Sequence, residues 1–144
     1  MQRIASNRKA RFEYEVEDEL EAGMVLAGTE VKSLRDGRAQ LQDAYAMVEH
    51  GEVFLYQLHI GEYAHGNVFN HEPRRARKLL LHRREIERLE RKVREKGYTL
   101  IPLELYFKRG RAKVKIGLCR GKKQYDKRAT VKERDRLRDT EQDA

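Results

Sequence analysis

The sequence predicts a mainly β domain: a small antiparallel barrel of six strands, with two or three packed helices and a polar C-terminal tail. Three observations carry this expectation. Several short segments alternate apolar and polar side chains with the period of a half-buried strand. Glycine-containing turns separate two pairs of these segments. One longer segment instead repeats its apolar residues at helical spacing. A chain of 144 residues fits a single hydrophobic core, which usually takes roughly 100–150 residues.

The first strand is expected at residues 12–16, where Phe12, Tyr14 and Val16 share a face opposite Glu13, Glu15 and Glu17. A short apolar strand follows at residues 24–27. Residues 44–48 and 53–58 flank His50-Gly51, where glycine supplies the positive φ of a tight hairpin. Residues 98–107 and 112–119 flank Lys108-Arg109-Gly110-Arg111, a second hairpin. Residues 29–37 read as a helix capped by Thr29 and terminated by Gly37. A stronger helix spans residues 83–96: Ile86, Leu89 and Val93 form a narrow apolar stripe, and Gly97 ends it. Residues 1–10, with Arg3, Arg8 and Lys9, read as a basic arm, residues 11–120 as the folded domain, and residues 121–144 as a basic tail. Beyond Tyr125 the only sizeable apolar side chains are Val131 and Leu137. These cannot offset an ordering entropy of about 1–2 kcal/mol per residue, so the isolated tail is expected to be disordered.

Charge narrows the function. The formal net charge is +8, with 39% of residues charged, and such an excess of cations favours a polyanionic partner. The single cysteine, Cys119, suits a reducing compartment. No apolar run approaches the roughly 20 residues that span a bilayer, and the N-terminus has no signal-like apolar stretch. A cytoplasmic protein without a membrane partner is expected. The histidines at 50, 59, 65, 71 and 82 are scattered without metal-type pairing. No phosphate-binding glycine loop or nucleophile elbow is present, so neither an enzyme, a cofactor nor a metal is expected.

The cations point to RNA. In residues 111–118 the even positions are apolar, and the odd positions place Arg111, Lys113 and Lys115 in one row. Side chains two apart on a strand lie about 6.5–7 Å from one another, close to the spacing of successive phosphates. Lys108 and Arg109 extend the row at one end and Arg120, Lys122 and Lys123 at the other, with no acid between 108 and 123. A phosphate backbone would relieve that repulsion. No aromatic residue interleaves the row, which favours the backbone of structured RNA over single-strand stacking. The run Arg74-Arg75-Ala76-Arg77-Lys78 follows Pro73 and reads as an exposed loop, with Arg77 and Lys78 forming a second contact surface. The acids Glu13, Glu15, Glu17, Asp18, Glu19 and Glu21 would repel phosphate. They are expected on a face turned away from most of the RNA, apart from one carboxylate that accepts from base or sugar groups.

Six stretches, in order along nearly the whole chain, carry a family resemblance: residues 7–11 (NRKAR), 20–23 (LEAG), 28–35 (GTEVKSLR), 77–81 (RKLLL), 113–117 (KVKIG) and 121–128 (GKKQYDKR). Together they resemble the SsrA-binding protein, or small protein B, family. The resemblance implies an OB-fold barrel. It also implies binding to the tRNA-like domain of transfer-messenger RNA, support of its alanylation by alanyl-tRNA synthetase, and delivery with elongation factor Tu to the A site of a stalled ribosome. By motif match, Asn7, Glu21, Leu80 and Lys113 fall where the family contacts this RNA. Tyr125, Asp126, Lys127 and Arg128 fall in the segment that works in the decoding region. The remaining tail, including Lys132 and Arg134, is implied to lie as a helix in the vacant mRNA channel. The chain departs from the pattern at His82, where an asparagine is common, and at Tyr125, where some members have histidine.

Overall fold

A computed structural model describes residues 2–63 and 69–121, and these form a mainly β structure with three helices. Strand β1 (Gln2–Ser6) leads into helix α1 (Arg8–Glu13) and the long strand β2 (Tyr14–Met24). Helix α2 (Gly28–Arg35) precedes β3 (Ala39–Gln40), β4 (Tyr45–Glu49), β5 (Glu52–Tyr56), β6 (His59–Ile60) and β7 (Arg77–Leu80). Helix α3 (Arg83–Lys96), β8 (Thr99–Lys108) and β9 (Arg111–Gly121) complete the described chain. No described helix is long and apolar enough to cross a membrane.

The main sheet runs β1-β8-β4-β5-β7-β2-β9, and β9 pairs back onto β8. Six strands thereby close into an antiparallel ring, with β1 added along the edge of β8 beyond its contact with β4. The expected six-stranded barrel is present, but with different members. Residues 12–16 and 24–27 do not form two strands: the acid-rich segment between them belongs to the single strand β2. The sixth member is β7, in the segment expected to be an exposed loop. The segment expected to be an arm is built in, because β1 pairs with residues 104–107 of β8.

Local chemistry explains most boundaries. The turns at His50-Gly51 and Arg109-Gly110 hold both central residues at positive φ, from 52° to 78°. Two such residues make the tight turn whose twist matches paired strands, and glycine occupies the second position in each. Helix α1 replaces the expected start of the first strand because Asn7 caps it, accepting the Ala10 N–H at 3.1 Å. Ala10 then packs with Ile101, Leu103 and Cys119 in a small second core, while Phe12 is left exposed. That apolar burial pushes the Cys119 thiol up to about 11. Pro102 lies within β8 at a register shift between Pro102 and Glu104; a proline, lacking an N–H, is tolerated in a strand where the ladder is already interrupted.

Helix α3 has the expected bounds, and Gly97 closes it in the left-handed conformation. Its N-cap His82 makes no side-chain cap bond; Glu85 reaches back instead and accepts the His82 N–H at 2.9 Å. Helix α2 begins earlier than expected, with Ala27 as its N-cap and Thr29 inside the first turn. The Thr29 hydroxyl meets His71 Nδ1 at 2.9 Å, and the other nitrogen of that ring donates to the Ile60 carbonyl at 2.9 Å. The principal core joins Leu34 of α2 and Leu89 of α3 to inward residues of the barrel, including Leu55, Leu79, Leu100, Leu105, Val114 and Ile116.

Candidate RNA interface

Three adjacent strands meet at a residue without a side chain. Gly23 of β2 pairs with Leu80 of β7 on one side and with Lys113 of β9 on the other. Leu80 and Lys113 therefore lean over the same bare backbone. Leu80 Cδ1 and Lys113 Nζ lie 3.6 and 3.8 Å from the position a Cβ of residue 23 would take. The surrounding depression, about 300 Å³, is lined also by Met24, Leu26, Val31 and Arg111. Alternation along β7 sends Arg77 and Leu79 inward and leaves Leu80 53% exposed. A large apolar side chain beside cations on an open surface is the composition of a contact site, with van der Waals area at its centre and charge at its rim. Among the described residues neither Lys113 nor Arg111 forms an ion pair, so both cations remain available to an anion.

Glu21 lies two residues from Gly23 on the same strand face. Its Oε2 accepts the Tyr106 hydroxyl at 2.5 Å and Lys108 Nζ at 3.4 Å. The Tyr106 bond, helped by Lys108 and Lys113, outweighs burial and holds the Glu21 carboxyl below the usual range. Burial and the same carboxylate push the Tyr106 phenol well above its ordinary value. Glu21 thus presents an ionised acceptor beside the cations rather than a separate acidic face.

That juxtaposition corrects the expected segregation of charge. Strand β2 pairs along its length with β9, placing Glu21 opposite Lys115 and Glu15 opposite Arg120. Lys115 Nζ lies 3.7 Å from Glu19 and 3.9 Å from Glu104, and Arg120 lies 3.0 Å from Glu17 and 3.8 Å from Glu15. Acids remote in sequence partly neutralise the basic row, and the cations outside any ion pair, Lys113 and Arg111, lie near Gly23. The acidic run carried the signal for this, since Glu15, Glu17, Glu19 and Glu21 keep the period of a strand.

The second basic run is not the expected exposed loop. Arg77 is fully buried and its guanidinium lies 2.7 Å from Glu30, which is also fully buried. It donates as well to the carbonyls of Leu58, at 2.5 Å, and Pro73, at 3.0 Å. Arg75 closes on the same carboxylate at 2.6 Å. Burial alone would raise the Glu30 carboxyl, but hydrogen bonds from Arg75, the Ala27 N–H and Arg77 reverse the direction and hold it low. Desolvation depresses Arg77 in turn. A guanidinium enclosed in this way cannot meet RNA, so the expected contact at Arg77 is contradicted by its burial. Lys78 stays at the surface, paired with Glu52 at 2.9 Å. Asn7 is 4% exposed, and its amide donates to the Leu41 and Pro102 carbonyls at 3.3 and 3.1 Å. With its oxygen capping α1, its side chain anchors the fold, and it does not line the depression beside Gly23. Tyr125, Asp126, Lys127, Arg128, Lys132 and Arg134 lie outside the described residues.

Comparison with known proteins agrees with this architecture. The family model described as SmpB protein matches residues 4–144. This chain belongs to the SmpB family. The SsrA-binding protein of Desulfitobacterium hafniense (strain DSM 10664 / DCB-2) is 58% identical over 138 residues, covering 96% of this chain and 88% of the relative. Those of Geobacter sulfurreducens and Acidothermus cellulolyticus are 56% and 62% identical, over 96% and 91% of this chain and 91% and 82% of theirs. A solved structure described as "tmRNA-SmpB: a journey to the center of the bacterial ribosome" is 49% identical, with a TM-score of 0.73. That match covers 93% of this chain and 94% of the solved one.

Proposed function

We propose that this protein binds the tRNA-like domain of transfer-messenger RNA and brings it to stalled ribosomes for rescue and tagging of the unfinished peptide. Family membership supports the reading, and the solved SmpB chain of the same fold is described with transfer-messenger RNA on the ribosome. The observation that carries it is the Gly23 strip: an exposed leucine, two cations outside any ion pair and one oriented carboxylate gathered from three strands. Lys113 and Arg111 hold phosphates, Leu80 packs on a sugar or base, and Glu21 accepts a donor from the RNA. Residues 122–144 engage the small-subunit RNA of the decoding region and mRNA channel, with Tyr125 stacking and Lys127, Arg128, Lys132 and Arg134 meeting phosphates. Elongation factor Tu and alanyl-tRNA synthetase are partners through the RNA complex. The site of action is the cytoplasm, and the barrel is of the OB type.

A reconstituted tagging reaction tests this. Full-length protein should bind the isolated tRNA-like domain and support tagging on ribosomes whose message ends near the P site. Protein truncated after Gly121 should still bind the RNA and fail to support tagging. Absence of RNA binding by the full-length protein would overturn the proposal, and normal tagging by the truncated form would overturn the role given to residues 122–144.

A further inference from the structure

Tyr106 stands beside the RNA site without belonging to it. The residue is 2% exposed, yet its hydroxyl reaches Glu21 Oε2 at 2.5 Å, the shortest bond that carboxylate makes. Lys108 takes the same oxygen. Among the described residues Glu21 Oε1 has no hydrogen-bond partner. One oxygen is therefore anchored and the other is presented.

We propose that Tyr106 is a positioning residue for RNA recognition: by fixing Glu21 Oε2 it turns a flexible surface carboxylate into a one-oxygen acceptor aimed at a single donor of the bound RNA. The inference rests on the function proposed above and deepens it. A glutamate free to rotate loses side-chain entropy on every contact it makes, and an acid among phosphates is repulsive unless it meets a donor. Holding the carboxylate in advance removes the first cost and restricts the second to ligands with the donor in the right place. The occupied Oε2 excludes a two-pronged contact of the kind a guanine edge makes with both carboxylate oxygens. A ribose 2′-hydroxyl or one exocyclic amino hydrogen remains. Lys108, Lys113 and Arg111 surround the site with phosphate-binding charge, which places the sugar-phosphate backbone nearest to Oε1 and favours the hydroxyl. The groups facing Glu21 are Tyr106 and Lys108 from β8, and Lys113 and the cross-strand partner of Glu21, Lys115, from β9.

A double-mutant cycle on the full chain, read as the dissociation constant for the isolated tRNA-like-domain RNA, tests this. Tyr106→Phe keeps the ring and removes the hydroxyl, and should weaken binding about tenfold, the scale of one hydrogen bond to a charged group. Glu21→Ala should weaken binding at least as much, and the double variant no further than Glu21→Ala alone. The pH profile adds a readout that a purely structural tyrosine would not move. Glu21 contributes above its depressed pKa and stops contributing as pH falls through it; Tyr106→Phe raises that pKa, so binding should fade at a higher pH. Losses that add in the cycle, or an unshifted profile, would overturn the positioning role while leaving RNA binding standing. RNA with the 2′-hydroxyls of the contacted strand replaced by hydrogen should bind wild type more weakly and Glu21→Ala no more weakly than before. Equal sensitivity of the two proteins would reject the hydroxyl as the donor. Failure of wild type to bind the RNA at all would instead refute the underlying function.

Discussion

The two basic runs look alike as text and end in opposite environments. Arg74–Lys78 has four cations in five positions, and residues 111–115 have three. In the first, Arg77 is enclosed with Glu30 and two backbone carbonyls, and Arg75 closes on the same carboxylate. In the second, Lys113 and Arg111 face outward beside Gly23 and Leu80. Cation density in a sequence does not measure capacity for RNA. What counts is whether folding brings an acid to each cation, and the acids responsible stand far away: Glu30 is 47 residues from Arg77. The same arithmetic holds within the row itself, where Lys115 is ion-paired with two glutamates and Lys113 only faces Glu21 without closing an ion pair.

The largest expected effect breaks the buried half of this contrast. Arg77→Ala leaves Glu30 without its fully enclosed partner, and removing one member of a buried ion pair costs about 3–5 kcal/mol. Chemical denaturation should show that loss, whereas Lys113→Ala should stay within about 0.5 kcal/mol of wild type. A small effect of Arg77→Ala would mean that the guanidinium can leave its enclosure and is available to RNA after all.

Acid should expose the same cluster. The folded-state pKa of Glu30 lies below its ordinary value. Its contribution to stability is therefore complete above the ordinary carboxylate range and is lost as pH falls through the depressed value. Arg75→Ala removes one of the bonds that depress it, so that loss should begin at a higher pH. Stability curves measured from neutral to acidic pH would show the shift, and superimposable curves would argue that Arg75 contributes nothing to the cluster.

Charge reversal sharpens the contrast inside the basic row. Lys113→Glu should weaken binding of the tRNA-like domain and reduce the salt dependence, since each lost phosphate contact removes about 0.7–0.9 from the log–log slope. Lys115→Glu should change the slope less, because its ammonium already sits between Glu19 and Glu104. Equal slopes for the two variants would show that the intramolecular pairs dissolve when RNA arrives.

Leu80→Ala should separate binding from stability. Half exposed, this leucine should cost less than about 1 kcal/mol on truncation, yet RNA affinity should fall because the apolar centre of the strip is lost. Leu79→Ala, one residue earlier and 2% exposed, should do the reverse: it should destabilise the fold by about 2–5 kcal/mol without a specific effect on the affinity of the folded fraction.

Periodicity and turn chemistry made much of this protein legible before folding. The two hairpins needed only His50-Gly51 and Arg109-Gly110 between alternating segments, because a tight antiparallel turn requires positive φ locally. Helix α3 needed only its apolar stripe and Gly97. The outward direction of Lys113 followed from the pleat of its own strand. Pairing between distant segments was not legible, and it decides the site. That Glu30 neutralises Arg77, that Asn7 is occupied by two remote carbonyls, that Tyr106 reaches Glu21, and that Gly23 brings Leu80 to Lys113 all depend on contacts spanning 34 to 95 residues of chain. Local propensity acts over a few residues and determines which segments become strands, turns and helices. Register and closure of the barrel choose which charges cancel and which stay open to an RNA.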